Sequence, residues 1–143
     1  MFRRSLPVVV VLVVLAAVPA ASAKGFEPGD LRICNATRCK PIMYRPSVDA
    51  LGAFYYTDPR PPARAGRPPL GAPAFELRFD NGYVTGIVAS SSLDRFLSYG
   101  VNLGRFRAGH WYRVPRTAAR QLRRLTEGLA PMLVTRAALA RSR

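Results

Sequence analysis

The chain has 143 residues, with 22 Lys and Arg against 8 Asp and Glu, a formal net charge of +14 at pH 7. That length supports one domain with one modest core and argues against two. One histidine and two cysteines fall short of the four ligands of a structural zinc centre, and eight acids leave few carboxylates for acid–base chemistry.

Residues 1–23 read as an export signal. Arg3 and Arg4 open it, an apolar run extends from Leu6 to Ala21, and Ala21-Ser22-Ala23 forms a small-residue cleavage site. The run is shorter than the roughly 20 apolar residues of a membrane span and contains Pro7 and Pro19, so cleavage near Ala23 is favoured over retention as an anchor. No transmembrane segment is expected after cleavage. The remaining 120 residues carry 20 basic side chains, eighteen of them arginine, against 8 acids. Arginine over lysine fits GC-rich coding and a bacterial source. The size of the excess is more informative, because it creates a field that attracts anions. For an exported protein these are an anionic envelope polymer, lipid headgroups or extracellular nucleic acid without sequence specificity. The bland alternative is a well-solvated surface.

Leu31 to Cys34 and Cys39 to Ile42 read as two short strands around Asn35-Ala36-Thr37-Arg38, which sets Cys34 opposite Cys39 and predicts a disulfide. In the chain-entropy model so small a loop contributes roughly 2 kcal/mol. Ser47 to Tyr55 is expected as a short helix with Ser47 as N-cap, and the Tyr55-Tyr56 pair after it as the edge of the core. Asp58 to Pro73 holds six prolines, two glycines and three arginines, so this 58–73 segment is expected to be a surface connection without regular structure.

Phe75 to Ala89 is the strongest signal in the chain, two alternating runs joined by Asn81-Gly82. A two-residue type I′ loop predicts Phe79 opposite Val84, Leu77 opposite Gly86 and Phe75 opposite Val88. Phe75, Leu77, Phe79, Val84 and Val88 then face a core, while Glu76, Arg78, Asp80, Tyr83, Thr85 and Ile87 make a mostly polar second face. Gly86, between two phenylalanines on the apolar face, leaves room for a ring or for a helix.

Ser90 to Gly100 is expected as a short helix, with Ser91 and Asp94 as a variant capping box and Leu93, Phe96 and Leu97 on one face. A third hairpin is expected from Val101–Arg107 and His110–Val114 through Ala108-Gly109. It would set Phe106 opposite Trp111 and gather Arg105, Arg107, His110 and Tyr112 near its tip. Thr117 to Glu127 reads as an amphipathic helix: Ala118, Leu122, Leu125 and Leu129 face inward, while Arg120, Arg123, Arg124 and Glu127 fall on the other face, a basic outer stripe. Residues 131–143 read as a basic tail, either a last helix or disordered.

The expectation is therefore an α+β domain over residues 24–130. It has a small antiparallel sheet of about three hairpins, two or three short helices including the amphipathic C-terminal one, and one disulfide. From Arg95 onward there are eleven arginines against one acid, Glu127. This asymmetry points to a small exported, non-enzymatic protein that holds an anionic envelope component, with Arg105, Arg107, His110, Tyr112, Arg113, Arg116, Arg120, Arg123 and Arg124 as candidate anion-binding residues. No cofactor and no metal are expected. The alternatives are an envelope hydrolase or transferase using Glu76 or Asp80 with His110, and an interaction or inhibitor module using the proline-rich stretch or the Phe106 and Trp111 face.

Overall fold

The computed structural model describes residues 25–100 and 102–140. Residues 1–24, where the export signal is expected, together with Val101 and residues 141–143, lie outside them. The elements in chain order are β1 (Leu31–Cys34), β2 (Cys39–Pro41) and α1 (Arg45–Gly52), which runs into a π-helical turn at Ala53–Thr57. Then come β3 (Pro73–Phe79), β4 (Val84–Ala89), β5 (Arg95–Ser98), β6 (Trp111–Arg113), α2 (Arg116–Thr126), β7 (Met132–Leu133) and α3 (Arg136–Ala140). All strand pairs are antiparallel, in the order β2-β1-β3-β4-β5-β6, with β7 beside the start of β3. The described residues thus form an α+β fold with one antiparallel sheet, three α-helices and a Cys34–Cys39 disulfide.

Both faces of the sheet are covered. Ile33, Leu77, Val88, Phe96 and Tyr112 point toward α1, the π-turn and α2, where Val48, Leu51, Phe54, Tyr55, Leu122 and Leu125 complete the larger core. Each fully buried side chain of this size contributes about 1.5–3 kcal/mol. On the opposite face Ala74, Ile87, Ala89, Leu97 and Trp111 meet Ala72, Val134 and Ala138. The mostly polar second face expected for the central hairpin is corrected here. Residues 131–140 form β7 and α3 and, with Ala72, cover its Ile87 and Ala89 half, while Val134 N donates to Ala72 O at 2.9 Å.

The central hairpin keeps the predicted pairs Phe75 with Val88 and Leu77 with Gly86, but Arg78, not Phe79, lies opposite Val84. Its loop has three residues, Asp80, Asn81 and Gly82: Gly82 N donates to Phe79 O and Phe79 N to Tyr83 O, both at 2.8 Å. Only Gly82 in this loop has a positive φ, +84°, whereas a type I′ turn would need one at Asn81 as well. The register is restored by a bulge in which Thr85 is the extra residue. Thr85 is buried there; its Oγ1 donates to Leu77 O at 2.8 Å and accepts from Tyr55 Oη at 3.0 Å.

Two further expectations are corrected. The Ser90 to Gly100 helix is replaced by a turn and then β5, which pairs with β4 through Ile87–Leu97 and Val88–Phe96. Phe96 enters the larger core and Leu97 the smaller, so their shared helical face gives way to burial on both faces of a central strand. The third hairpin is β5 with β6, not residues 101–107 with 110–114; Phe106 instead forms an isolated bridge with Leu103. Phe106 and Trp111 consequently lie on opposite faces of the sheet.

α1 begins at Arg45, with Tyr44 as N-cap residue and a proline in its first turn. Ser47 is not the cap: it is buried inside the helix and donates to Gln121 Oε1 of α2 at 2.8 Å. α2 likewise starts before Thr117, after Pro115.

The proline-rich segment has a definite role. Ala65 N donates to Trp111 O at 3.0 Å and Arg113 N to Ala63 O at 2.8 Å, so it runs along the outer edge of β6. Arg95 secures it by donating to Gly66 O and Arg67 O at 3.2 and 3.0 Å. At the other end of the sheet the disulfide loop reaches past β1. Asn35 Nδ2 donates to Ala130 O at 2.8 Å and Arg38 Nη2 to Gly128 O at 2.7 Å, fixing the exit of α2.

Candidate anion-binding groove

The nine candidate residues divide into groups. Arg105 is committed to the fold. Its guanidinium donates to Phe54 O at 3.0 Å, to Asp58 O at 2.6 Å and to Arg60 O, and its side chain is only 17% exposed. It satisfies carbonyls left open where the π-turn ends, which is why a charged side chain is retained there. Tyr112 is buried, its Oη accepts from Arg107 N at 2.9 Å, and Arg64 lies over its ring at 5.1 Å. His110 is partly buried just before β6. Arg113 pairs with Arg95 across β5 and β6; the neighbouring Leu97–Trp111 and Phe96–Tyr112 pairs show that Arg113 shares the Trp111 face, away from α2.

Arg116, Arg120 and Arg123 are brought together. They stand at i, i+4 and i+7 on α2, spanning about 10 Å of helix axis. With Ala119 they form one wall of an open groove of about 560 Å³, Val114 contributes its base, and Ser92 and Asp94 form the facing wall. β5 and β6 set that spacing, since Val114 N donates to Asp94 O at 2.7 Å. Arg123 Nη1 donates to Ser92 O at 3.1 Å and ties the walls together at one end. The turn carrying Ser92 and Asp94 contains two non-glycine residues in the left-handed region, Ser90 (φ +84°) and Leu93 (φ +54°). Ser90 Oγ and Asp94 Oδ1 are hydrogen-bonded, which holds that turn.

The charge balance of this groove is lopsided. Asp94 is its one acid, and among the described residues the side chains of Arg116 and Arg120 have neither an ion pair nor a hydrogen bond. Like charges at i and i+4 destabilise an isolated helix by about 0.2–0.5 kcal/mol per pair. An anion in the groove would relieve that repulsion while accepting from forked donors. Arg124, one turn beyond Arg120, lies outside the groove lining, and its Cζ is 5.3 Å from the Tyr44 ring centre.

The carboxylates considered for catalysis are engaged elsewhere. Glu76 pairs with Arg78, and Asp80 with Arg32 at 2.8 Å. No group of three or more His, Cys, Asp and Glu able to hold a metal ion occurs among the described residues. Sequence reasoning placed the arginines on the outer face of α2 but missed Ser92 and Asp94, because their position depends on β5 being a strand. Compared with family models, curated proteins and solved structures, the chain matches none.

Proposed function

We propose that the protein is a small exported, non-enzymatic domain that holds an anionic component of the cell envelope in the groove between α2 and the Ser92–Asp94 turn. The observation that carries this reading is the set Arg116, Arg120 and Arg123 along one wall, two of them without a protein acceptor. The intrachain Cys34–Cys39 bond supports an oxidising compartment, and residues 1–23 have the pattern of an export signal. Phosphate, sulfate and carboxylate groups all match forked guanidinium donors, so the class of ligand is a multivalent oxyanion.

The test separates a groove from net charge. Binding to soluble polyphosphate is measured at low and high salt for the wild type, for Arg116→Gln/Arg120→Gln/Arg123→Gln, and for Arg107→Gln/Arg113→Gln/Arg136→Gln. The two triple variants lose the same charge. The first is expected to weaken binding at least about tenfold and to flatten the salt dependence, since three close contacts are removed. The second is expected to change affinity much less. Equal losses in both would sink the groove and leave only overall charge.

A further inference from the structure

The strongest exposed apolar feature adjoins the basic helix. Met43 and Tyr44, in the turn between β2 and α1, are 60% and 49% exposed. Tyr44 supplies no side-chain cap to α1, and its ring carries the Arg124 guanidinium at 5.3 Å. Neither side chain is needed by the core, which closes around Ile42, Val48 and Leu51 instead. Their exposed area is apolar surface that folding leaves in water and that a partner could bury.

The pairing has a chemical meaning. A tyrosine ring with an arginine over its face is apolar at one end and cationic at the other, the arrangement favoured at a boundary between hydrocarbon and anionic headgroups. On its own α2 lacks what a surface-lying helix needs, because Ala118, Ala119, Leu122 and Leu125 are buried in the domain and no aromatic lies on its outer face. The β2–α1 turn provides that aromatic beside the same helix. Arg120 and Arg124, at i and i+4, put two cations on the exposed side of α2, and charge complementarity selects an anionic surface.

We propose that the protein seats on an anionic lipid bilayer, with Tyr44 and Met43 entering the headgroup boundary and the arginines of α2 meeting lipid phosphates. This rests on the anion-binding reading above and names its ligand as a lipid surface rather than a soluble polymer. Two modest anchors combine here, since apolar contact and several cations each give weak, reversible attachment and together give a stable one.

The experiment uses the intact protein and two probes, phosphatidylcholine vesicles containing phosphatidylglycerol and soluble polyphosphate. Met43→Ser/Tyr44→Ser is expected to lose about tenfold in vesicle affinity while keeping wild-type polyphosphate affinity and an unchanged thermal melt. Tyr44→Trp is expected to shift its emission to the blue on these vesicles and not on polyphosphate. Arg116→Gln/Arg120→Gln/Arg123→Gln is expected to lose both ligands. Wild-type vesicle affinity in the Ser variant, or no blue shift in the Trp variant, would overturn the bilayer proposal and leave the anion-binding reading standing. Unchanged polyphosphate affinity in the arginine variant would overturn that reading instead.

Discussion

The ring of Phe96 occupies the space that a side chain at Gly86 would fill: a Cβ there would lie 1.9 Å from Phe96 Cε2 and 2.7 Å from the backbone oxygen of Leu97. Two neighbouring strands depend on this absence, because Phe96 belongs to β5 and Gly86 to β4. Relaxation would have to move backbone as well as a ring. Gly86→Val is therefore expected to destabilise by about 3 kcal/mol or more, at the upper end of overpacking. Chemical denaturation checks it, and Phe96→Leu combined with Gly86→Val should cost less than the sum of the two singles. Equal stability of Gly86→Val and wild type would contradict the register.

Thr85 and Tyr55 make a second coupled pair. Since Thr85 Oγ1 donates to Leu77 O, Tyr55 Oη must be the donor to Thr85, and both groups are buried. Thr85→Val keeps the shape but leaves the buried Tyr55 phenol without its acceptor and removes one donor from Leu77 O, at a cost of about 1–3 kcal/mol. Tyr55→Phe leaves the Thr85–Leu77 bond intact and should cost less, about 1 kcal/mol. Burial also pushes the Tyr55 phenol well above its ordinary range. An alkaline absorbance titration should show Tyr55 ionising only as the fold is lost.

Arg105 offers a test of a structural arginine against a binding one. Arg105→Ala strands the carbonyls of Phe54, Asp58 and Arg60 and is expected to cost about 2–3 kcal/mol. Arg107→Ala, whose side chain is exposed, should be within about 0.5 kcal/mol of wild type. Thermal melts of the two variants distinguish them, and polyphosphate affinity should be unchanged in folded Arg105→Ala.

Acid should weaken the same corner. The backbone N–H of Arg60 donates to Asp58 Oδ1 at 3.0 Å and, with the Arg60 and Arg105 guanidinium groups, holds the Asp58 carboxyl below its ordinary value of 3.8 against an opposing effect of burial. A carboxyl whose folded value is depressed stabilises the fold above its unfolded value and loses that contribution as pH falls through the folded one. Melting temperature should therefore drop as pH is lowered below about 4, and Asp58→Asn should drop less steeply over that range. Parallel curves for the two proteins would exclude Asp58 as a source of acid sensitivity.

Residue pattern disclosed the elements whose burial is one-sided and misled where burial is two-sided. The inward positions of α2 and the pairs Phe75–Val88 and Leu77–Gly86 follow from alternation and helical spacing, and so does Cys34 opposite Cys39. Leu93, Phe96 and Leu97 have helical spacing too, but a central strand with a core on each side also accepts consecutive apolar residues. Asn81-Gly82 serves a three-residue loop as well as a two-residue one, and the choice is made by Asp80, whose N–H donates to Asp30 O at 2.9 Å from a distant part of the chain. The groove shares this origin. Its arginines lie within one helix and were visible, whereas Ser92 and Asp94 reach it through strand order, which no local pattern carries.

Both outer edges of the sheet are closed in different ways. Along β6 the proline-rich segment takes the outward hydrogen bonds. On β2, Ile42 N bonds to Leu31 O and Asn35 N to Arg38 O, so alternation turns Cys39 and Pro41 outward, and Pro41 has no N–H to offer. A protein gathered onto a surface is confined to a thin layer, where encounters between copies multiply and any open strand would recruit the next. With the β6 margin occupied and Pro41 of β2 lacking a donor, crowding of that kind would find a poor template along either strand.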